Sequence, residues 1–103
     1  MVVIPFPFSD LSQAKRRPAL VIATLEGNDI ILCQITSKNV KDVYGIPVDD
    51  TDFISGKLTQ HGNIRPNRIF TADKNIILYK IGTVSEKKIH QVIDKLISIF
   101  TGS

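Results

Sequence analysis

The sequence predicts a mainly β protein with a C-terminal α-helix, a small and strongly curved sheet or barrel on which the helix packs. Three observations predict it. Short runs of strand formers recur from Val2 to Thr83, each stopped by proline, glycine or Asn-Asp chemistry. A long helical period occurs at the end, where Ile89, Val92, Ile93, Leu96, Ile97 and Phe100 repeat at three and four. The chain has 103 residues, 43% of them hydrophobic and 22% charged, which suits one domain with one core.

Val2-Val3-Ile4 opens the chain as a short strand halted by Pro5 and Pro7, with Phe6 and Phe8 sharing one face. Residues 10–16 are polar and without period, so they read as a loop. Pro18 bars Arg17 from the helical region, which makes Arg17 the first residue of an extended segment. Ala19 to Leu25 continues that strand, and Glu26-Gly27-Asn28-Asp29 supplies a turn. Ile30 to Thr36 follows, with Ile31, Cys33 and Ile35 on one face and Leu32, Gln34 and Thr36 on the other.

Ser37 to Tyr44 reads as a polar connection. Residues 45–48 form an edge strand at best, because Pro47 cannot donate to a ladder. Residues 49–56 are a long, partly acidic excursion. Asn63 to Thr71 returns as a strand with an edge or bulge at Pro66, and Asp73-Lys74-Asn75 turns the chain into a short element over 76–83. Ser85 is the expected N-cap of the helix, Glu86 suits its first turn, and Gly102 ends it.

Composition narrows the partners. The net charge of +3 suits a polyanion without demanding one. No apolar run approaches 18 residues, so no membrane span is expected. There is no cleavable leader pattern, and a single cysteine fits a reducing compartment, so a cytoplasmic protein is expected. One cysteine and two distant histidines make no metal-ligand set, so neither metal nor cofactor is expected. Asp49, Asp50 and Asp52 read first as a solvated loop.

The chemistry concentrates where two strands end. If 17–25 and 30–36 pair as a hairpin, Arg17 and Thr36 reach the same end of the sheet, a cation and a hydroxyl beside a basic loop. That is a place for a phosphate, which a guanidinium grips through paired hydrogen bonds. The plain alternative for Arg17 is a surface arginine in a weak ion pair with Asp10 or Glu26. For Thr36 it is an ordinary strand-end threonine. Lys15, Arg16, Ser37 and Arg68 are further candidates for contact with such a ligand, each equally readable as a solvated surface residue. Arg65 and Arg68 point to opposite faces if their strand is regular. His61 lies in a flexible loop and is the one imidazole placed to approach the site. His90 lies beside the helix stripe, and Cys33 reads as an inert core thiol.

The stretch IPFPFSDLSQAKRRPALVI followed by CQITSK resembles the MazF/PemK family of toxin endoribonucleases, and NIRPNRIFTADKNII is similar to the family's second signature. The similarity runs from Val2 to about Phe100. It departs at the start, where Val2 follows Met1 directly in place of the family's usual short basic lead with a Gly-Asp pair. The resemblance implies a single toxin domain over 1–103 with an SH3-like barrel, which pattern alone does not separate from an OB-type barrel. It further implies metal-independent cleavage of single-stranded RNA within a type II toxin–antitoxin system. Arg17 would be the catalytic arginine, and Thr36 the active-site threonine. A homodimer and a cognate antitoxin are the implied partners. A CcdB-like toxin that binds DNA gyrase, or a non-catalytic nucleic-acid-binding barrel, is the alternative.

Overall fold

The strand most deeply set in the structure is Asp29–Thr36, flanked on both sides and apolar on both faces. The computed structural model describes residues 1–6 and 15–102. Pro7, Phe8, Asp10 and the rest of the expected loop up to Ala14 lie outside the described residues, as does Ser103. In chain order the strands are β1 (Val2–Phe6), β2 (Lys15–Thr24), β3 (Asp29–Thr36) and β4 (Ile46–Val48), then β5 (Phe53–Gly56), β6 (Gly62–Asp73), β7 (Tyr79–Lys80) and β8 (Gly82–Val84). One α-helix, α1 (Glu86–Thr101), closes the chain. Six strands form an antiparallel sheet in the order β4-β6-β3-β2-β1-β7, and β5 pairs with β8 in a second, two-stranded sheet. The fold is thus mostly β, barrel-like, with a single C-terminal helix, as the sequence predicts.

The alternation in β3 is the reason for this layering. Cys33 and Ile35 enter one core with Leu20, Ile64, Ile46 and Val48, which the helix covers with Val92 and Leu96. Leu32 and Ile30 enter a second core on the opposite face with Val2, Ile4 and Ala19, edged by Phe6 and Phe70. Fully burying a side chain such as Leu32 or Ile64 stabilises by roughly 1.5–3 kcal/mol. Burial also pushes the Cys33 thiol up to about 12. Cys33 should therefore resist alkylation in the native protein and react only on unfolding, a difference that mass spectrometry after iodoacetamide treatment with and without denaturant will read. The unfolded thiol ionises near pH 9 and the folded one near 12, so stability should fall across that window as pH rises.

Local departures from the expected elements have identifiable causes. β1 runs through Pro5 to Phe6, and β2 begins at Lys15 rather than Arg17, because Pro5 pairs with Arg16 and Phe6 with Lys15. Lys15 and Arg16 are therefore strand residues, not loop residues. β4 is an edge strand, which accommodates Pro47. The bulge expected near Pro66 is present: Ile69 pairs with Cys33, yet Arg65 already pairs with Gln34. Residues 66–68 loop out of the ladder, so the strict alternation expected between Arg65 and Arg68 is lost.

The excursion after Val48 is more regular than expected. Asp49 caps a short 3-10 helix at Asp50–Asp52, accepting from the Thr51 amide at 2.8 Å and its hydroxyl at 2.6 Å. β5 follows it. Ser85 caps α1 as expected, its side chain accepting from the Lys88 amide at 3.3 Å. The helix stripe is wider than the surface it covers. Val92 and Leu96 are buried; Ile97 is 55% exposed, since one residue's step from Leu96 turns a side chain about 100° round the axis, and Phe100, on the face of Leu96 but in the last turn of the helix, is 70% exposed.

Candidate functional site

The β2–β3 ladder begins with Ala19 opposite Gln34. Two residues further toward the rim on each strand stand Arg17 and Thr36, on one face of the sheet by the period of two. Both line a cavity of about 200 Å³, with Phe6, Gln34, Lys38 and Phe70 around them. Pro18 holds Arg17 extended, and Ile4 is its partner on β1, so a buried strand anchors an exposed guanidinium. The guanidinium forms no ion pair among the described residues; the ion pairs found there join Arg65 to Asp42 and Lys88 to Asp52.

Thr36 is half-buried, and its Oγ1 accepts a hydrogen bond from the Lys38 amide at 3.2 Å. That bond orients the hydroxyl and leaves its proton for donation to a ligand oxygen. The close approach of β6 helps to fix the strand end. A Cβ on Gly62 would lie 2.7 Å from the Thr36 carbonyl oxygen, so only glycine lets the two chains meet there.

A larger cavity of about 500 Å³ opens on the opposite side of the same rim. It shares Arg17, Pro18 and Ile35 with the first, and adds Arg16, Ser37 and His61. Arg16 faces this side because it alternates with Arg17 along β2. Of the candidates read from the sequence, Arg17 and Thr36 thus converge on one cavity, while Arg16, Ser37 and His61 converge on the other and meet Arg17 there. Lys15 is exposed on the Arg17 face, opposite Phe6. Arg68 borders neither cavity, because the bulge in β6 carries it out of the ladder.

From the sequence Arg68, rather than Arg65, is the candidate of that pair. The pairing of Arg65 with Gln34 sets it on the face of Thr36, where its Nη2 contacts Asp42 Oδ2 at 2.6 Å. The bulge that reverses the expected alternation was legible only as a proline. The acidic stretch is occupied with its own turn. Asp52 Oδ2 accepts from the Asp49 amide at 3.0 Å, and Asp50 Oδ1 from the Leu58 amide at 3.2 Å. Hydrogen bonds from Thr51 hold the Asp49 carboxyl below its usual range, with Lys88 and His61 adding weaker attraction. Among the described residues no group of three or more His, Cys, Asp or Glu side chains could hold a metal ion.

Comparison with known families decides the relationship. The profile of the PemK-like, MazF-like toxins of type II toxin–antitoxin systems matches residues 1–100. The chain belongs to this family. Its fold is also similar to that of a solved structure, the Mycobacterium tuberculosis toxin MazF-mt6. The TM-score is 0.68 at 14% sequence identity, covering 96% of this chain and 94% of that one. No curated protein matches the sequence. No helix among the described residues of this MazF-like toxin is long and apolar enough to cross a membrane.

Proposed function

We propose that this toxin is a sequence-specific endoribonuclease that cuts single-stranded RNA without a metal ion. The observation that carries the reading is the meeting of Arg17 and Thr36 at one cavity on the sheet rim. The 2′-hydroxyl of the substrate loses its proton as its oxygen attacks the adjacent phosphorus, and the bond from phosphorus to the 5′-oxygen breaks. The leaving 5′-oxygen takes up a proton, giving a 2′,3′-cyclic phosphate and a 5′-hydroxyl. Negative charge grows on the non-bridging oxygens during attack. A fixed guanidinium at Arg17 stabilises that charge more than it stabilises the substrate. Thr36 donates its hydroxyl proton to the phosphate or orients the 2′-hydroxyl.

Arginine and threonine are poor proton acceptors, and His61 is the one imidazole among the lining residues of the two cavities. Lys15, Arg16, Ser37 and His61 contact the RNA strand on either side of the cut. Arg68, away from both cavities, has at most a peripheral part. The strand must be single, since in-line geometry and base reading both need unstacked nucleotides.

Family membership supports the rest of the reading: a homodimer in the cytoplasm, growth inhibition through RNA cutting, and silencing by an acidic cognate antitoxin laid over the basic rim. Incubation of the purified protein with mixed single-stranded RNA in EDTA should yield fragments with 2′,3′-cyclic phosphate and 5′-hydroxyl ends at a short recurring sequence. Cleavage that requires added magnesium would refute the mechanism.

A further inference from the structure

The mechanism uses the Thr36 side of the rim, yet the larger hollow lies on the other side. Arg16, Lys57 and Lys80 border it together with the shared Arg17, and no Asp or Glu lies among its described lining residues. None of these four cations forms an ion pair among the described residues. Like charges gathered round one concavity repel one another and set up a positive potential that a polyanion relieves. Its volume of about 500 Å³ is that of a small-molecule site. Tyr79, on the edge strand β7 and paired with Val3, is 51% exposed at the same hollow and offers a ring to a planar group.

Cations for phosphate beside an aromatic face for a base are the two parts of a single-strand binding groove. Arg17 belongs to both cavities, so a strand whose scissile phosphate sits on Arg17 has its next nucleotide within reach of this one. We propose that the larger cavity is a nucleotide subsite. It holds the nucleotide that flanks the cut pair, with the phosphate among Arg16, Lys57 and Lys80 and the base against Tyr79. This assignment rests on the ribonuclease reading above and adds to it where substrate length and sequence preference are set.

Two RNAs test it: a seven-nucleotide strand containing the preferred cut site (roughly the reach of such a groove), and the bare dinucleotide that is cut. Tyr79→Ala and the double variant Lys57→Ala/Lys80→Ala should lower kcat/KM on the long strand about tenfold more than on the dinucleotide. The Lys57→Ala/Lys80→Ala protein should also bind an uncleavable 2′-deoxy form of the long strand with a shallower salt dependence, one to two phosphate contacts fewer. Melting curves beside each assay separate this effect from misfolding, and the lysine variants, at exposed positions, serve if Tyr79→Ala unfolds. Equal losses on both RNAs, or none on either, would overturn the subsite while leaving the ribonuclease reading standing. Absence of any cutting by the unaltered protein would remove both.

Discussion

Replacing Arg17 with alanine is expected to lower RNA cleavage about 10²–10³-fold, the usual cost of removing one preorganised group that meets transition-state charge. The fold should survive. Arg17 is exposed, its extended backbone is imposed by Pro18, and neither hydrophobic cluster contains its side chain. The melting temperature of Arg17→Ala should therefore lie within a few degrees of the unaltered protein. Arg17→Lys should recover only part of the rate, because an ammonium keeps the charge but not the planar fork that grips two phosphate oxygens. Kinetics on a defined single-stranded RNA in EDTA, with parallel melting curves, checks all three outcomes. If Arg17→Ala still arrests growth while cellular RNA stays intact, the chain acts by binding, in the manner of a CcdB-like toxin.

Gly82→Ala should be strongly destabilising, costing about 3 kcal/mol, the upper range for an overpacked site. For a domain of this size that corresponds to a fall of about 15 °C in melting temperature. β5 and β8 cross so closely at Gly56 and Gly82 that the two residues pair directly. A Cβ on Gly82 would be driven into the Ser55 carbonyl oxygen and would lie 2.9 Å from Gly56 Cα. Both obstacles are backbone, so no rotamer relieves them. Gly56 is held from the other side: its φ is +73°, and a Cβ there would strike the Ile81 carbonyl oxygen. The connection from β5 to β6 carries Lys57 and His61, so forcing the strands apart should also open the larger cavity. A thermal melt followed by circular dichroism decides the matter; a midpoint close to that of the unaltered protein would mean the strands can part cheaply.

The features legible in the sequence were those fixed by neighbours along the chain. Residues 31–36 alternate cleanly, and their two faces carry Cys33 and Ile35 into one core and Leu32 into the other. Ser85 and Gly102 bracket the helix by capping chemistry that depends on a single turn of backbone. The convergence of Arg17 and Thr36 was readable because a hairpin with one turn leaves few registers. The roles assigned to those two side chains came from the family resemblance, since an arginine and a threonine at strand ends are commonplace. What could not be read depends on distant segments. The larger cavity draws its walls from residues 16–18, 57–62 and 79–81, which no local pattern joins. The fate of Arg68 turned on a bulge whose length Pro66 does not specify. The six-residue stripe on α1 gave no hint that the sheet would cover only part of it.

The back-to-back placing of Arg16 and Arg17 on one strand carries an evolutionary consequence. Arg16 lines only the larger hollow while Arg17 lines both, so a substitution at Arg16 need not disturb the smaller one. On the ribonuclease reading proposed above, descendants of such a chain could change which nucleotides they favour while the apparatus for breaking the linkage stays as it was, and a lineage could diversify its targets without passing through inactive forms.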